Sequence, residues 1–320
     1  MDNQLKLAQY DKSLFGTSVV KLKANPLSLE QEKEKFISAV YDFVEPLNFE
    51  VLQFNGRPKS NFKSILKSLL IMSFNNMSYR RTQSDLRKMY EQELIRTVIP
   101  RSTLNDYAND ENTKKILEKL IRASALFFND DENTLIIDST WLAKRMYSGG
   151  YKKVYDKVNA NFEETRKLHI GCLKNSRIIA CAITTEGKRH DNPIGREIIE
   201  QVTETGFNIT TLLADAGYLS KETYALCKEK GILNTYINFK KNSQSKRAKS
   251  DLWQNRLKIW KEQPEVWHET YRYRVLVEGI FSAIKRKNIN YLRSKKETAQ
   301  DVELLLKVLV YNLTIIAKYS

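Results

Sequence analysis

The sequence is poor in the residues that build disulfide frameworks and zinc sites. It has 3 cysteines and 3 histidines in 320 residues, and no two cysteines form a CxxC pair. Too few cysteines are present for a disulfide framework, so we expect Cys172, Cys181 and Cys227 to be reduced thiols that pack in the core. His169 and Cys172 have H-x-x-C spacing, but a strand pattern puts them on opposite faces, which disfavours a zinc site.

The sequence also lacks a long uninterrupted apolar run. Its most apolar stretch, residues 302–317, is interrupted by Glu303 and Lys307, whereas a membrane span needs about 20 consecutive apolar residues. The first residues, MDNQLKLAQYDKS, contain no apolar signal segment. We therefore expect a buried helix at 302–317, no membrane partner and a cytoplasmic protein.

Acidic residues are scarce relative to basic ones. The chain has 53 Lys and Arg against 38 Asp and Glu, for a net charge of +15, which favours a polyanionic partner through counterion release. Between Asn55 and Tyr90, eight basic residues accompany a single acid, Asp85. The basic residues there are Arg57, Lys59, Lys63, Lys67, Arg80, Arg81, Arg87 and Lys88.

Helical patterns fill the first part of the chain. Apolar residues recur at helical spacing in FKSILKSLLIMSF, SYRRTQSDLRKMY predicts a second helix, and Ser102 or Thr103 can cap a third after Pro100. Three short helices with basic faces are typical of a helix-turn-helix unit, although a helical bundle with a solvated basic face is the alternative. We predict an N-terminal helical segment of unassigned role at 1–54 and a helical DNA-binding region at 55–128. Its predicted DNA contacts are Arg80, Arg81 and Arg101.

After the acidic NDDEN segment the pattern changes from helices to strands. TLIIDST, KLHIGCLKN, RIIACAIT, ITTLLADAGY and ILNTYINF are apolar β runs, and a polar turn at Asn175 and Ser176 predicts a hairpin between the second and third. PIGREIIEQVTET, with Pro193 at its first position, and SKETYALCKEKG, closed by Gly231, predict helices. This order indicates an α/β domain at 129–320, built as a mixed sheet flanked by helices.

Two of these apolar runs lead into an aspartate: LIID ends at Asp138 and LLAD at Asp215. Ligands collect beyond the carboxyl ends of parallel strands, so both carboxylates can share one crevice with Glu278 from a helix packed on the sheet. Three clustered carboxylates repel one another unless a divalent cation lies among them, and hard oxygen ligands suit Mg²⁺ or Mn²⁺. Two such ions suit phosphodiester chemistry. The alternative is that each aspartate caps the following turn.

Glu278 is the single acid in the helical segment YRYRVLVEGIFSAIKRK, residues 271–287. At about 100° per residue, Tyr271, Arg274, Glu278 and Lys285 fall within a wedge roughly 60° wide, which we call the polar seam. One acid among three groups that suit phosphate predicts a metal ligand among contacts to a nucleic-acid backbone. An ordinary solvated helix face is the alternative. A separate apolar stripe contains Leu276, Val277, Ile280 and Ile284.

These residues resemble the DDE transposases of prokaryotic insertion sequences. Tyr271, Arg274, Glu278 and Lys285 match the Y-x2-R-x3-E-x6-K signature of one subgroup at every position. IIDSTWL and LLADAGYLS are similar to the motifs around the first and second aspartates of that family, and GRPKS and MSYRR are similar to its N-terminal motifs. The resemblance covers approximately residues 55–318.

The resemblance implies a ribonuclease H-like catalytic domain that cuts DNA at transposon ends and joins it to target DNA. By position, Asp138 would bridge two Mg²⁺ (or Mn²⁺) ions, while Asp215 and Glu278 would each hold one. The implied partners are double-stranded DNA, as terminal inverted repeats and target DNA, and a second copy of the chain in a homodimer on DNA, at the nucleoid. The residues implied to contact phosphates are Tyr271, Arg274 and Lys285.

Weaker signals concern accessory residues. The G-x-x-H-D stretch makes His190 a candidate for positioning metal or DNA, with a plain helix cap at Asp191 as the alternative. Trp141 can stack on a displaced base or pack in the core. A basic loop before the last helices is expected to touch DNA phosphates, with a flexible solvated tract as the alternative: Lys240, Lys241, Lys246, Arg247 and Lys249.

Two other functions stay open from the sequence. A catalytically silent or domesticated DNA-binding regulator would keep the fold without cutting, although a pure binding module has no use for three carboxylates facing a phosphate backbone. A ribonuclease H-like nuclease would cleave DNA without strand transfer.

Overall fold

Five helices precede the sheet in the part of the chain that the structure describes. The computed structural model describes residues 29–47, 49, 61–131, 133–144, 164–239, 243, 250–288 and 291–318. These helices are α1 (Leu29–Val44), α2 (Phe62–Phe74), α3 (Gln83–Glu91), α4 (Arg101–Ala108) and α5 (Glu111–Ala125). The GRPKS stretch lies outside the described residues.

The basic region differs from its prediction in two respects. α3 begins at Gln83, so Arg80 and Arg81 lie in a turn before the helix rather than on it. Lys67 is buried, because its ammonium pairs with Glu45 at 2.5 Å. One of the eight basic residues therefore stabilises the helical core instead of presenting charge to a partner.

The fourth helix also begins earlier than predicted. α4 starts at Arg101, directly after Pro100, whereas the sequence pattern predicted a cap at Ser102 or Thr103. The ring of Pro100, at φ −59°, restricts the backbone just before the helix. Ser102 and Thr103 therefore lie in the first turn.

The described residues form a five-stranded mixed sheet in the order β3-β2-β1-β4-β5. β2 is antiparallel to both β1 and β3, whereas β4 pairs in parallel with β1 and with β5. This is the topology of a ribonuclease H-like fold, and the predicted hairpin of the second and third strands is confirmed. The strands are β1 (Thr134–Ala143), β2 (Thr165–Leu173), β3 (Ile179–Glu186), β4 (Thr211–Ala214) and β5 (Asn234–Ile237).

The two predicted helices that alternate with β4 and β5 are present, with one corrected start, and the helix Asp251–Glu262 was not predicted. The first begins at Asp191, so Pro193 is its third residue; the N–H groups of a first turn have no intrahelical partner, and proline is tolerated there. Gly231 has a φ of +75°, the left-handed conformation predicted for a helix closure. The helices are α6 (Asp191–Glu204), α7 (Lys221–Glu229), α8 (Asp251–Glu262), α9 (Pro264–Tyr271), α10 (Leu276–Asn288) and α11 (Glu297–Ile316).

Helices cover the sheet on both faces. α6 contacts β1, β2 and β3, and α5 and α11 contact β3. Leu135, Ile136 and Ile137 are at most 1% exposed, as expected for a strand covered on both sides. The three cysteines are buried as well. The central strand is therefore a rigid support for the residues that follow Ile137.

The expected buried helix at the end of the chain is α11. Asn312 bonds to the backbone N–H and carbonyl of Ile179 at 3.0 and 2.8 Å, and its amide also donates to Ser124. Asp301 accepts from the buried Arg166 of β2 at 2.5 Å. α11 also contacts α1, α2 and α4, so it joins the N-terminal helices to the sheet. None of the described helices has the length and apolarity needed to cross a membrane.

Candidate catalytic site

The strand register places Asp138 and Asp215 side by side. β1 pairs in parallel with β4 up to Ile137 and Ala214, and each aspartate is the next residue. The prediction that a strand ends at the aspartate is correct for β4 and wrong for β1. β1 continues to Ala143 because its later residues remain paired with β2. The two aspartates therefore lie side by side where the parallel pairing ends, at the carboxyl end of β4 and in the middle of β1.

Arg274 connects two of the predicted carboxylates. Its Nη1 donates to Asp138 Oδ2 at 2.7 Å, and its Nη2 donates to Glu278 Oε1 at 2.9 Å. The side chain of Asp138 is 17% exposed, whereas that of Glu278 is 57% exposed. One guanidinium group thus gathers residues from β1 and α10, and Asp215 adjoins them through the strand register.

The helical segment that carries the polar seam is not one continuous α-helix. A 3₁₀ turn separates α9 from α10 at Arg272–Val275. Side chains three residues apart eclipse in a 3₁₀ helix, so the turn brings Tyr271 into line with Arg274. α10 packs against β1. Three of the four residues of its apolar stripe are buried, with exposures of 2% or less for Val277, Ile280 and Ile284, and Leu276 is half-buried.

The remaining seam residues also lie beside β1. Lys285 Nζ donates to Thr140 Oγ1 at 2.6 Å, two residues along the strand from Asp138, and burial lowers the pKa of Lys285. Burial raises the pKa of Tyr271, and the negative charges of Asp215 and Asp138 raise it further. The tyrosine hydroxyl therefore stays protonated next to the carboxylates.

Asp138 is disfavoured in its ionised form. Burial raises the pKa of Asp138 to about 6, with additional repulsion from Asp215 and Asp191. The Ser139 N–H, 2.8 Å from Asp138 Oδ1, and the Arg274 charge oppose this shift without cancelling it. A cation beside Asp138 favours the carboxylate, and Arg274 provides only part of that stabilisation.

Asp215 and Glu278 have less restrictive surroundings. Asp215 Oδ1 accepts from the N–H of Ala216 at 2.6 Å, so the turn-capping alternative holds for one of its oxygens. Within the described ranges, no three His, Cys, Asp or Glu side chains lie close enough together to hold a metal ion. The three carboxylates are neighbours in the fold, with Arg274 between two of them, rather than a closed set of ligands.

A polar cluster surrounds Asp191 of α6, and the sequence pattern did not predict it. Asp191 Oδ1 accepts from Ser139 Oγ at 2.8 Å and lies 2.6 Å from Lys167 Nζ and 3.3 Å from His169 Nδ1. Burial opposes ionisation, but the neighbouring His169, Lys167 and Ser139 side chains prevail and lower the pKa of Asp191 to about 2. Asp191 is thus not a plain helix cap. One sequence signal could have revealed this cluster. Lys167 and His169 are polar residues two positions apart in an apolar strand, so their side chains lie on the same face of the sheet.

The accessory candidates are arranged around this cluster. Trp141 Nε1 donates to the Gly187 carbonyl at 3.0 Å, and Lys167 Nζ lies 4.5 Å from the centroid of the Trp141 ring. His190 is the exposed residue before α6, and its side chain makes no capping hydrogen bond. Trp141 therefore packs against the α6 side of the sheet.

A basic pocket lies at the far end of β1. It has a volume of about 720 Å³, and the backbone N–H of Leu292 donates to the Ala143 carbonyl at 2.8 Å at its edge. Lys144 is six residues beyond Asp138, which corresponds to about 20 Å along a strand. The lining residues are Ser78, Arg81, Lys144, Tyr291, Leu292, Arg293, Ser294 and Lys295.

The structure separates the remaining predicted DNA contacts. Arg81 lines the basic pocket, whereas Arg80 and Arg101 are exposed residues outside its lining. Lys240 and Lys241 lie outside the described residues, as do the other basic residues of that loop, Lys246, Arg247 and Lys249.

Comparison with known proteins gives one match. A family model described as a transposase DDE domain matches residues 129–313, more than half of the chain. No curated protein and no solved structure matches the chain significantly. The matched range contains the sheet, both strand-adjacent aspartates and the complete polar seam. The chain therefore belongs to the transposase family that this DDE domain defines.

Proposed function

We propose that the protein is a DNA transposase that cleaves DNA at the ends of its mobile element and transfers the exposed 3′ ends to target DNA. Asp138, Asp215 and Glu278 are its proposed catalytic carboxylates. The observation that carries the proposal is the convergence at Arg274, which bonds to Asp138 and Glu278 while the strand register places Asp215 alongside.

The donor chemistry of this site fits divalent cations. Its carboxylate oxygens are the hard ligands that Mg²⁺ and Mn²⁺ prefer, and a cationic group already lies between Asp138 and Glu278. Two bound ions would supply activation of the attacking water or 3′-hydroxyl and stabilisation of the leaving oxygen. Arg274 would have to release Asp138 for that carboxylate to become a ligand.

The polar seam would orient the DNA backbone at the carboxylates. A released Arg274 offers two parallel N–H donors, which suit a phosphate. Tyr271 is aligned with it and keeps its proton, so its hydroxyl can donate to a phosphate oxygen. Lys285 lies two residues along β1 and offers a compact positive charge. These three residues match the subgroup signature, and we extend that assignment to this chain as part of the proposal.

The basic pocket supports a longer DNA path than the catalytic site alone. Arg81 comes from the turn before α3 and Lys144 from the end of β1, while Arg293 and Lys295 precede α11. Such a cluster can neutralise several phosphates and release their counterions. Since transposition requires two ends in one complex, we also propose a homodimer on DNA, located at the nucleoid.

A supercoiled plasmid that carries the DNA flanking the gene tests this function. With Mg²⁺ or Mn²⁺, the wild-type chain should nick the plasmid, and EDTA should abolish nicking. Precut ends should then become joined to a second DNA. DNA binding without nicking would support a silent regulator instead, and nicking without joining would support a nuclease.

A further inference from the structure

Asp138 and Asp191 are linked through one residue across the sheet. Successive side chains of a strand point to opposite faces, and Ser139 lies opposite His169 in the β1–β2 register, on the side of α6. The Ser139 N–H donates to Asp138 Oδ1 at 2.8 Å, while the Ser139 hydroxyl donates to Asp191 Oδ1 at 2.8 Å. A shift of Asp191 would therefore be transmitted to the residue that orients Asp138.

Asp191 is itself held firmly by side chains that cannot easily move. Lys167 and His169 are 3% and 0% exposed, and both meet Asp191 Oδ1. Lys167 is also confined by the Trp141 ring on its other side. Buried charges with several partners have few alternative positions, so this cluster gives Ser139 a fixed acceptor.

The next residue of α6 holds the segment that follows Asp215. Asn192 Nδ2 donates to the Tyr218 carbonyl at 2.9 Å, and a Cβ added to Gly195 would collide with the Tyr218 ring. Asp215 caps the turn that contains Tyr218. The first two turns of α6 thus contact the chain next to each of the two strand-adjacent aspartates.

We propose that the first turn of α6 is a positioning element, in which Asp191 acts through Ser139 on Asp138 and Asn192 acts through Tyr218 on Asp215. None of these residues touches the reacting atoms. The inference rests on the proposed function, because its consequence is a fixed spacing of two metal ligands. Groups that orient metal ligands in this way typically contribute about 10- to 100-fold to metal affinity or activity.

The test compares Mn²⁺ binding to the full-length chain, measured by electron paramagnetic resonance with a short DNA duplex present, so that a phosphate is available to Arg274, and with the duplex alone as the blank. Ser139→Ala removes the bond to Asp191, and Ser139→Thr retains a hydroxyl. Asp191→Ala removes the acceptor, and Asp251→Ala is its matched control, since Asp251 also begins a helix but is 81% exposed and pairs loosely with Lys228. Plasmid nicking and DNA affinity are measured on the same proteins, and thermal melting establishes that each is folded.

Ser139→Ala and Asp191→Ala should weaken Mn²⁺ binding by about 10-fold or more, while Ser139→Thr and Asp251→Ala should stay within about twofold of wild type. DNA affinity should change little in all four. If Asp191→Ala fails to fold, the two Ser139 variants decide the matter, because neither leaves a buried charge unpaired.

Two contrary results are distinguishable. If Asp138→Asn abolishes Mn²⁺ binding while Ser139→Ala binds as wild type does, the positioning role is wrong and the catalytic assignment stands. If wild type and Asp138→Asn bind Mn²⁺ alike, the catalytic assignment fails and the positioning role fails with it.

Discussion

Asp138 and Asp191 lie on opposite faces of one sheet and have opposite electrostatic surroundings. Asp138 is buried near other carboxylates, and its pKa is raised to about 6. Asp191 Oδ1 accepts from Ser139, pairs with Lys167 and lies 3.3 Å from His169 Nδ1, and the pKa of Asp191 is lowered to about 2. Each aspartate has one cationic partner, Arg274 for Asp138 and Lys167 for Asp191. The difference is that Asp138 also faces the negative charge of Asp215, whereas Asp191 accepts a further hydrogen bond from Ser139. Under the proposed function, the same residue type would serve as a metal ligand on one face and as an anchor on the other.

This contrast explains how a site can be both reactive and rigid. A carboxylate whose pKa is already low gains little from a nearby metal ion, whereas one whose ionised form is disfavoured by burial and by neighbouring carboxylates gains more. Other groups must then hold Asp138 in place. Ser139, the next residue, bonds both to Asp138 and to Asp191 of the α6 cluster.

The largest effect that separates the two aspartates should be on catalysis. Asp138→Asn removes a proposed direct ligand, so metal-dependent nicking should fall by at least about 1,000-fold, a loss of roughly 4 kcal/mol in transition-state stabilisation. Asp215→Asn and Glu278→Gln should behave alike, and DNA affinity in a gel-shift assay should remain near that of wild type. Nicking by Asp138→Asn within about 10-fold of wild type, a gap of only ~1.4 kcal/mol, would contradict the assignment.

Neutralising Asp191 should lower the free energy of unfolding, whereas neutralising Asp138 should raise it at neutral pH. Asp191→Asn leaves Lys167 buried beside a neutral amide, and loss of one partner of a buried ion pair costs about 3 kcal/mol of unfolding free energy. Urea denaturation at pH 7 measures this loss. Asp251→Asn is the control and should be nearly neutral, because the Asp251 pair is exposed. Equal stability of the two variants would refute an anchoring role for Asp191.

The pH dependence of Asp138→Asn should run in the unusual direction for an acidic residue. Because the pKa of Asp138 is raised to about 6, the folded state prefers the protonated side chain. The stability gained from that protonation is fully present below the unfolded pKa of about 3.9 and is lost as pH rises through 6. Asp138→Asn should therefore raise the melting temperature by a few degrees at pH 7.5, roughly 2–4 °C per kcal/mol. The gain should vanish near pH 4.

Asp191 should give the opposite profile in the same melting experiments. Its lowered pKa means that the carboxylate stabilises the folded state above a pH of about 4 and that this contribution is lost as pH falls toward 2. The difference between wild type and Asp191→Asn should thus be constant from pH 5 to 8, in the range of about 3 kcal/mol, and shrink only in strong acid. A difference that is largest at low pH would contradict the sign.

The smallest expected effect concerns the basic pocket, far from both aspartates. Lys295→Gln should lower DNA affinity a few-fold and reduce the slope of log K against log salt by about 1 if its ammonium contacts one phosphate. Lys258→Gln is the control, because Lys258 is 70% exposed on α8 and outside the pocket. If both variants show the same dependence of DNA affinity on salt, the pocket does not contact DNA.

The parts of the fold that depend on local pattern could be predicted from the sequence. The β2–β3 hairpin follows from apolar runs around a polar turn, and the apolar stripe of α10 follows from helical periodicity. The end of β1 could not be predicted in this way. Polar residues from Asp138 onward end the apolar run, but pairing with β2 continues to Ala143, and only the partner strand reveals that.

The parts of the site that depend on distant residues were harder to predict. The bond between Arg274 and Asp138 joins residues 136 positions apart, so no spacing rule contains it. Asp191 looked like a cap because a helix begins there, whereas its partners come from two strands. Lys67 looked like a surface charge until Glu45 was found beside it. Each case is a polar contact that tertiary packing creates.

Anomalous diffraction from crystals of the protein with DNA and Mn²⁺ tests the central claim most directly. Manganese peaks should lie within bonding distance of oxygens from Asp138, Asp215 and Glu278, and Arg274 should have left Asp138 for a phosphate. A complex without manganese at Asp138, in which the guanidinium still bridges Asp138 and Glu278, would contradict the account.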